Sequence, residues 1–194
     1  MEQTDPFTLF GEVFQEAAAT GMVEPNSMAL ATADAEGRPS VRIVLMKGFD
    51  ERGFVFYTNL NSRKGSQLAA NPHAALCFYW QAIHRQVRVE GDVVPVTAEE
   101  ADEYFASRAR GSQIGAWASQ QSRQLADREE LLQAVRSTEQ RFEGHPVPRP
   151  QHWSGFRLIP NRIEFWTAGE FRLHHRLLFE RDDNGGWRSS RLYP

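Results

Sequence analysis

The chain has 194 residues, a formal net charge of -3, and a hydrophobic content of 41%. This length fits one well-buried domain, and the composition is typical of a soluble globular protein. The charge gives no general attraction to nucleic acid, and no apolar run reaches the ~18 residues that a membrane span needs. The only cysteine, Cys77, cannot form an internal disulfide. We therefore expect one cytoplasmic domain over residues 1–194 that binds neither nucleic acid nor membrane.

Apolar periodicity predicts more strands than helices. An amphipathic helix is expected over residues 7–20, where Phe7, Phe10 and Phe14 recur at helical spacing. Strands are expected in SMALATAD, PSVRIVLMKGFD, GFVFYT, AALCFYWQA and HRQVRVEGDVVPV, and three more (GFRLIPNRIEFW, EFRLHHRLLFER, GWRSSRLY) in residues 155–194. Most consecutive strands have hairpin-length connections. The pattern favours a mainly β (α+β) protein, an antiparallel β-barrel with peripheral helices, over a parallel doubly wound fold.

Three further helices have recognisable starts. Ser62 is placed to cap a helix that begins at Arg63. Thr97 and Glu100 form the capping box T-x-x-E, and another helix is expected from Asp127 to about residue 142. Neither G-x-G-x-x-G nor G-x-x-x-x-G-K-[ST] occurs, which argues against a Rossmann or P-loop nucleotide site.

Two cations stand where a helix disfavours them. Arg63 and Lys64 would occupy the first turn of the helix capped by Ser62, at the positive end of the helix dipole. An anion bound there would reverse this cost, because the backbone N–H groups and both side chains would attract it. We therefore interpret the pair as a phosphate site; two exposed cations in a frayed turn are the alternative interpretation.

Other cations lie near hydroxyl and aromatic side chains. Arg42 and Lys47 interrupt the apolar strand RIVLMK. Tyr104 and Arg108 are four residues apart, so they should share one helix face, and Ser112 follows beside a helix end.

A last basic group lies near the C-terminus. Arg172, His174 and Arg176 alternate in EFRLHHR, so a strand would point all three to one side. Taken singly, each of the chain's cations fits a solvated surface charge. Taken together, with hydroxyls and aromatic rings between them, they indicate one or more phosphate-bearing ligands.

Five blocks of the sequence resemble, in order and spacing, the motifs of the pyridoxine/pyridoxamine 5'-phosphate oxidases. They are RIVLMK, FYTNLNSRKGSQL, RQVRVEG, YFASRARGSQIGAWASQQS and IEFWTAGEFRLHHR, and the similarity runs from about Phe7 to the terminal RLYP. The resemblance implies a homodimeric split β-barrel with FMN at the subunit interface. It also implies oxidation of pyridoxamine or pyridoxine 5'-phosphate to pyridoxal 5'-phosphate, with O2 as acceptor and H2O2 as product.

The resemblance further implies which residues form the site. Those expected to bind FMN are Arg42, Ile43, Val44, Leu45, Met46, Lys47, Tyr57, Thr58, Arg63, Lys64, Gln86, Gln121, Ser122, Trp166 and Arg176. Those expected to bind the substrate are Lys47, Tyr104, Arg108 and Ser112 around its phosphate, with Arg172, Leu173 and His174 beside the pyridine ring. Arg172 and His174 are the expected catalytic pair, and no metal is expected.

The chain departs from the family pattern in two places. The last block usually reads EHRLHDR, so Phe171 and His175 replace a histidine and an aspartate. On a strand both would face away from Arg172 and His174, although the loss of an acid beside His174 is expected to affect the efficiency of oxidation. A basic N-terminal segment that covers the substrate in relatives is also expected to be missing, because the first helix begins near residue 7.

Two other functions stay open on the sequence. A flavin oxidase of phenazine biosynthesis shares the barrel and a similar C-terminal motif, although the intact YFASRARGSQ block favours a phosphorylated substrate. A protein that binds FMN or pyridoxal phosphate without turnover is the second, because of the changes at Phe171 and His175. The sequence does not decide between the amine and the alcohol as substrate.

Overall fold

The computed structural model describes residues 5–194, which form nine β-strands and five α-helices. The strands are β1 Ser27–Ala33, β2 Pro39–Leu45, β3 Gly48–Asp50, β4 Gly53–Asn59, β5 His73–Trp80, β6 Arg85–Pro95, β7 Trp153–Thr167, β8 His175–Arg181 and β9 Trp187–Leu192. The helices are α1 Pro6–Ala19, α2 Arg63–Ala70, α3 Ala98–Ser107, α4 Arg110–Ala118 and α5 Arg128–Arg141, and short 3₁₀ turns cover Gln81–Ile83 and Glu170–Arg172. No helix in this described part is both long and apolar enough to cross a membrane. The expectation of a missing lid segment concerns the N-terminal residues 1–4, which lie outside the described residues.

All nine of the described strands belong to one antiparallel sheet. Its order is β2-β1-β5-β6-β7-β4-β3, with β8 paired to β7 and β9 to β8. The ends of this path approach each other, because the N–H of Lys47, just after β2, donates to the carbonyl of Val55 in β4 at 2.8 Å. The β6–β7 register shifts between Glu90 and Gly91, and such a bulge bends a strand. The sheet therefore curves into the barrel that the strand pattern predicted.

Helix α1 packs its apolar stripe into the barrel core. Asp5 caps the helix by accepting a hydrogen bond from the N–H of Thr8 at 2.8 Å. Phe10 is completely buried, and its ring meets the rings of Phe49 and Phe54 nearly edge-on at centroid distances of 4.8 Å each. The helix thereby fastens β3 and β4 to the rest of the sheet.

A second apolar cluster joins α3, α4 and α5 to the side of the barrel. Helix α3 begins with the predicted capping box: Thr97 Oγ1 accepts from the N–H of Glu100 at 3.1 Å, and the Glu100 carboxylate accepts from the N–H of Thr97 at 3.0 Å. Asp127 caps α5 in the same manner, through the N–H of Glu130 at 2.9 Å. The apolar cluster itself holds α3 and α4 against β4 and the start of β7, and its buried members are Phe105, Ile114, Phe142, Val147 and Trp153.

Two predicted elements are interrupted in the structure. The segment PSVRIVLMKGFD forms β2 and β3 instead of one strand, because the N–H groups of Met46 and Lys47 leave the ladder for the carbonyls of Asn26 and Val55. The helix predicted to carry Arg108 ends at Ser107, and Arg108 itself is extended, with φ -73° and ψ 148°.

The prediction that Arg172, His174 and Arg176 alternate along one strand is wrong. Strand β8 begins only at residue 175, and the preceding residues form a 3₁₀ turn in which Phe171 and Arg172 have φ of 53° and 65°. Local hydrogen bonds replace the ladder, since the N–H of Leu173 donates to Glu170 and that of His174 to Arg172, at 2.9 Å each. A sequence alternation cannot reveal such a turn.

We predict that Phe10→Ala lowers the free energy of unfolding by about 3–5 kcal/mol, because it leaves a cavity among packed rings. Urea denaturation followed by circular dichroism measures this change. The matched control is Glu12→Ala on the exposed face of the same helix, with an expected change within about 0.5 kcal/mol. Equal losses for the two variants would contradict the role assigned to α1.

Candidate functional site

A cleft of about 860 Å³ lies between the barrel and helices α2, α3 and α4, and we call it the first cleft. Four cationic side chains line it, and none of its lining residues is acidic. Among the described residues, none of the four forms an ion pair with a carboxylate. Four unmatched positive charges in one concave surface favour an anionic ligand. The four cations are Arg42, Lys47, Lys64 and Arg108.

The start of α2 brings one of these cations into the cleft. Ser62 caps the helix as predicted, its Oγ accepting from the N–H of Gly65 at 3.3 Å. Lys64 Nζ donates to Thr58 Oγ1 at 3.0 Å and to Gln121 Oε1 at 2.8 Å. Burial, and then the charge of a neighbouring arginine, lower the pKa of Lys64 to about 8. An anion would offset both effects, since it stabilises the charged lysine.

Neutral oxygen atoms hold the second cation, Arg42. Its guanidinium donates to Thr32 Oγ1 at 2.6 Å, to Ser40 Oγ at 2.6 Å and to the carbonyl of Leu30 at 3.1 Å. The buried Gln67 side chain fixes both hydroxyls, because Thr32 and Ser40 each donate to its Oε1, at 2.6 and 2.7 Å. Burial, followed by the charge of Arg63, lowers the pKa of Arg42. Gln67, Thr32 and Ser40 were not predicted as site residues, and their only sequence signal is proximity to the predicted motifs.

A stack of aromatic rings forms another wall of the first cleft. The rings of Tyr57, Tyr104 and Trp153 are nearly parallel and in mutual contact, with centroid distances of 4.1 Å for Tyr57–Tyr104, 5.3 Å for Tyr57–Trp153 and 6.1 Å for Tyr104–Trp153. The guanidinium of Arg108 lies 4.7 Å from the Trp153 ring centroid, and Lys47 Nζ lies 5.8 Å from that of Tyr104. Arg108 Nη1 is buried and has no hydrogen-bond partner among the described residues, and burial lowers the pKa of this guanidinium. An unpaired buried donor of this kind fits a ligand acceptor.

Tyr104, Arg108 and Ser112 meet in the first cleft for a different reason from the one predicted. Tyr104 is on α3, but the chain leaves the helix at Arg108 and restarts one at Arg110, so Ser112 lies in the first turns of α4. The expected i,i+4 helix face is therefore wrong. A bend between two helices, together with the ring stack, brings the three side chains to one cleft.

A second cleft, of about 530 Å³, lies between α1 and the ends of β6, β7 and β8. Four of the predicted site residues line it: Gln86, Trp166, His174 and Arg176. The His174 ring packs 4.6 Å from that of Trp166, and its Nδ1 accepts from the N–H of Gly169 at 3.2 Å. His175 also lines this cleft, and because a turn precedes β8, the strand alternation expected to separate it from His174 does not apply.

A buried carboxylate holds Arg176. Glu164 accepts two hydrogen bonds from Arg176, at 2.8 and 3.0 Å, and it also pairs with Arg88. Burial alone would raise the pKa of Glu164, but the hydrogen bonds from these two arginines outweigh burial and hold the pKa below its usual value. The carboxylate therefore stays ionised and fixes both guanidinium groups against the sheet.

The remaining predicted residues line neither cleft. Met46 lies in the barrel core with 4% of its surface exposed. The other four are exposed at the surface: Arg63, Ser122, Arg172 and Leu173. Among the described residues no group of three or more histidine, cysteine or acidic side chains is arranged to hold a metal ion.

The two clefts lie toward opposite ends of strand β7. Trp153 lines the first cleft and Trp166 the second. At ~3.3 Å per residue the two positions are separated by about 40 Å of strand. The predicted flavin contacts are thus divided into two groups within one chain.

Solved structures share this architecture. PhzG from Burkholderia lata 383, in complex with tetrahydrophenazine-1-carboxylic acid, is similar to the chain with a TM-score of 0.93 and 35% identity, covering 100% of this chain and 94% of that chain. A pyridoxamine 5'-phosphate oxidase-related, FMN binding protein from Nostoc punctiforme has a TM-score of 0.79 at 18% identity, covering 99% and 100%. The second likeness shows the fold alone, and together they confirm the predicted split β-barrel.

Sequence comparison gives the family. Residues 14–142 match the family model for pyridoxamine 5'-phosphate oxidase, and residues 153–194 match the model for the pyridoxine 5'-phosphate oxidase C-terminal dimerisation region. The pyridoxine/pyridoxamine 5'-phosphate oxidase of Myxococcus xanthus is 60% identical over 98% of this chain and 92% of its own length. That of Rhodospirillum rubrum is 56% identical over 100% and 98%. The chain belongs to the pyridoxamine 5'-phosphate oxidase family.

Proposed function

We propose that the chain is an FMN-dependent oxidase that converts pyridoxamine or pyridoxine 5'-phosphate into pyridoxal 5'-phosphate, with O2 as acceptor and H2O2 as product. The observation that carries this proposal is the first cleft, whose four cations have no acidic partner and whose Arg108 offers a buried, unpaired donor. Relatives at 53–60% identity over nearly the whole chain bear the name of this oxidase.

The family points to a flavin, and the residues at the start of α2 fit the phosphate of FMN. Lys64 and Arg42 lie in the first cleft beside the helix N-terminus, and Arg63 adds its charge from the first turn of the helix. Arg42 and Lys64 are half-buried and held by neutral oxygen atoms, so their charge is left for a ligand. Thr58 and Gln121 add polar atoms to the same corner.

Two chains complete each site in our proposal. Exposed apolar side chains lie on two strands of the sheet, with Val41 68% and Ile43 67% exposed on β2 and Tyr79 55% exposed on β5. Large exposed apolar side chains are typical of an interface. The match of residues 153–194 to a dimerisation region supports a dimer, and in our proposal the first cleft of one chain faces the second cleft of its partner.

The substrate phosphate has its own set of partners in the first cleft. Lys47 and Arg108 supply the charge, while Tyr104 and Ser112 supply hydroxyl groups. When bound, FMN supplies the acceptor for two electrons from the C4' carbon of the substrate, which then pass to O2. By fixing the phosphate, Lys47 and Arg108 hold the pyridine ring in one orientation.

Arg172 and His174 are the proposed catalytic pair. His174 Nδ1 accepts a hydrogen bond from the N–H of Gly169, so the neutral imidazole carries its proton on Nε2. His174 therefore presents Nε2–H as a donor to the substrate, and Arg172 adds a fixed positive charge from the adjacent turn. The pair orients the ring and assists the proton movement that accompanies oxidation.

Oxidation of a phenazine precursor is the second candidate function, favoured by the similarity to PhzG. The ligand named with that structure, tetrahydrophenazine-1-carboxylic acid, has a single carboxylate and no phosphate. The cationic first cleft supports a phosphorylated substrate instead, and the identity to PhzG, 35%, is well below the 60% to the Myxococcus xanthus oxidase.

The first test is turnover. We expect the purified protein to be yellow and to release FMN, identified by chromatography, on denaturation. Pyridoxamine 5'-phosphate added in air should yield H2O2 and a new aldehyde absorbance, whereas tetrahydrophenazine-1-carboxylic acid should yield neither. Turnover of the phenazine alone would support the second candidate. An inert flavin with both phosphorylated substrates would indicate a binding protein.

We predict that replacing Arg172 and His174 together by alanine lowers kcat by about 100-fold or more, because both the charge and the proton donor are lost. The dissociation constant of FMN should change little, since neither residue lies near the α2 phosphate corner. Steady-state kinetics and fluorescence titration measure the two quantities. Arg188→Ala, at an exposed arginine of β9, is the control for a general loss of charge. Unchanged turnover in the double variant would refute the assignment.

The lowered pKa of Lys64 predicts a pH dependence of FMN binding. Protonated Lys64 attracts the phosphate, so affinity should be steady below about pH 8 and fall by up to about tenfold per pH unit above it. The protein should also take up protons on binding near this pH, which calorimetry in two buffers detects.

Lys64→Met should weaken FMN binding and flatten this pH profile. The matched control, Arg63→Met, removes an exposed cation from the same turn and should keep the slope. A wild-type affinity that is constant from about pH 7 to about pH 9.5 would contradict the prediction.

A further inference from the structure

Aromatic rings, and no carboxylate, hold the guanidinium of Arg108. Its central carbon lies 4.7 Å from the centroid of Trp153 and 5.5 Å from that of Phe105. Nη1 is buried and has no hydrogen-bond partner. A ring face attracts a cation without cancelling its net charge, whereas an aspartate or glutamate would hold it equally well and neutralise it.

The carbonyl groups near the end of α3 do not compete with a ligand for the Arg108 guanidinium. Arginine side chains near a helix C-terminus often bind the last carbonyls of the helix. Here Gln113 Nε2 donates to the carbonyls of Phe105 and Ala106, at 3.0 and 3.3 Å. The carbonyls of Phe105 and Ala106 are therefore satisfied without the Arg108 side chain.

Trp153 is itself fixed in place. It is 6% exposed, its ring is parallel to that of Tyr57, and Phe105 meets it edge-on at 5.1 Å. Its backbone N–H donates to the carbonyl of Pro150 at 3.0 Å, and its carbonyl accepts from Arg149 Nη1 at 2.9 Å. These ring contacts and backbone hydrogen bonds fix the position of the Trp153 ring beside Arg108.

We propose that Trp153 is a positioning residue that holds Arg108, with its charge unneutralised, toward the substrate phosphate. Trp153 thereby sets the preference of the enzyme for phosphorylated over non-phosphorylated vitamers. This inference rests on the proposed function, because it takes a pyridoxamine phosphate as the substrate. Trp153 acts through Arg108 and not on the reacting carbon, so its loss changes substrate affinity and leaves the chemical step intact.

The test compares Trp153→Leu with Trp153→Phe in the FMN-loaded enzyme. For Trp153→Leu the ratio of kcat/KM for pyridoxamine 5'-phosphate to kcat/KM for pyridoxamine should fall about tenfold. Trp153→Phe keeps a ring face and should retain most of the ratio. The value of kcat at saturating phosphorylated substrate should change little.

Binding gives a readout independent of turnover. The non-oxidisable analogue 4-deoxypyridoxine 5'-phosphate, titrated into the same holoenzymes by calorimetry, should bind Trp153→Leu about tenfold more weakly. The matched control is Trp117→Leu, which removes a ring 4.7 Å from the Arg141 guanidinium outside the first cleft, and it should leave both readouts unchanged.

A double variant separates positioning from folding. In the background of Arg108→Ala, the substitution Trp153→Leu should have no further effect on the ratio. An equal loss for both substrates, or an effect that persists without Arg108, would overturn the proposal. A wild-type enzyme that oxidises neither vitamer refutes the proposed function instead, and the analogue titration then still tests Trp153.

Discussion

The site depends on four positive charges that the fold brings into one cleft without an acid to balance them. Each is held by a neutral group: hydroxyls and an amide around Arg42 and Lys64, and aromatic rings beside Lys47 and Arg108. The repulsion between Arg42 and Lys64 and the burial of Arg42, Lys64 and Arg108 disfavour the charged side chains in the ligand-free protein. Anionic ligands relieve both, so binding and stability are coupled through the same residues. The rest of the fold offsets this cost.

The barrel and its helices supply that stability from regions away from the cleft. Phe10 and the rings around it join α1 to the sheet, while the cluster around Trp153 joins α3 and α4 to the barrel. The cleft is bounded by parts of both clusters. The hydrogen bond from the Lys47 N–H to the Val55 carbonyl closes the barrel. Because Lys47 also lines the first cleft, the same bond fixes the position of one of its cations.

The sequence predicts those parts of the site that depend on short-range interactions. The cap at Ser62 and the placement of Lys64 follow from a few neighbouring residues, and both are found in the structure. The turn before β8 could not be predicted, because EFRLHHR alternates as a strand does. Its conformation needs Gly169, where a Cβ atom would lie 2.1 Å from the carbonyl oxygen of Leu173. Of the two rings that hold Arg108, Trp153 is 45 positions away along the sequence, so no local pattern predicts this contact.

The two clefts differ in how they hold the arginines predicted to contact the flavin, Arg42 and Arg176. In the first cleft no carboxylate faces the cations, whereas Arg176 in the second is paired with the buried Glu164. A paired guanidinium still donates hydrogen bonds but contributes little net charge. In the proposed arrangement this division suits a ligand with a charged phosphate and an uncharged ring. The unpaired cations of one chain hold the phosphates, and Arg176 of the other offers oriented donors to the flavin ring without attracting a second anion.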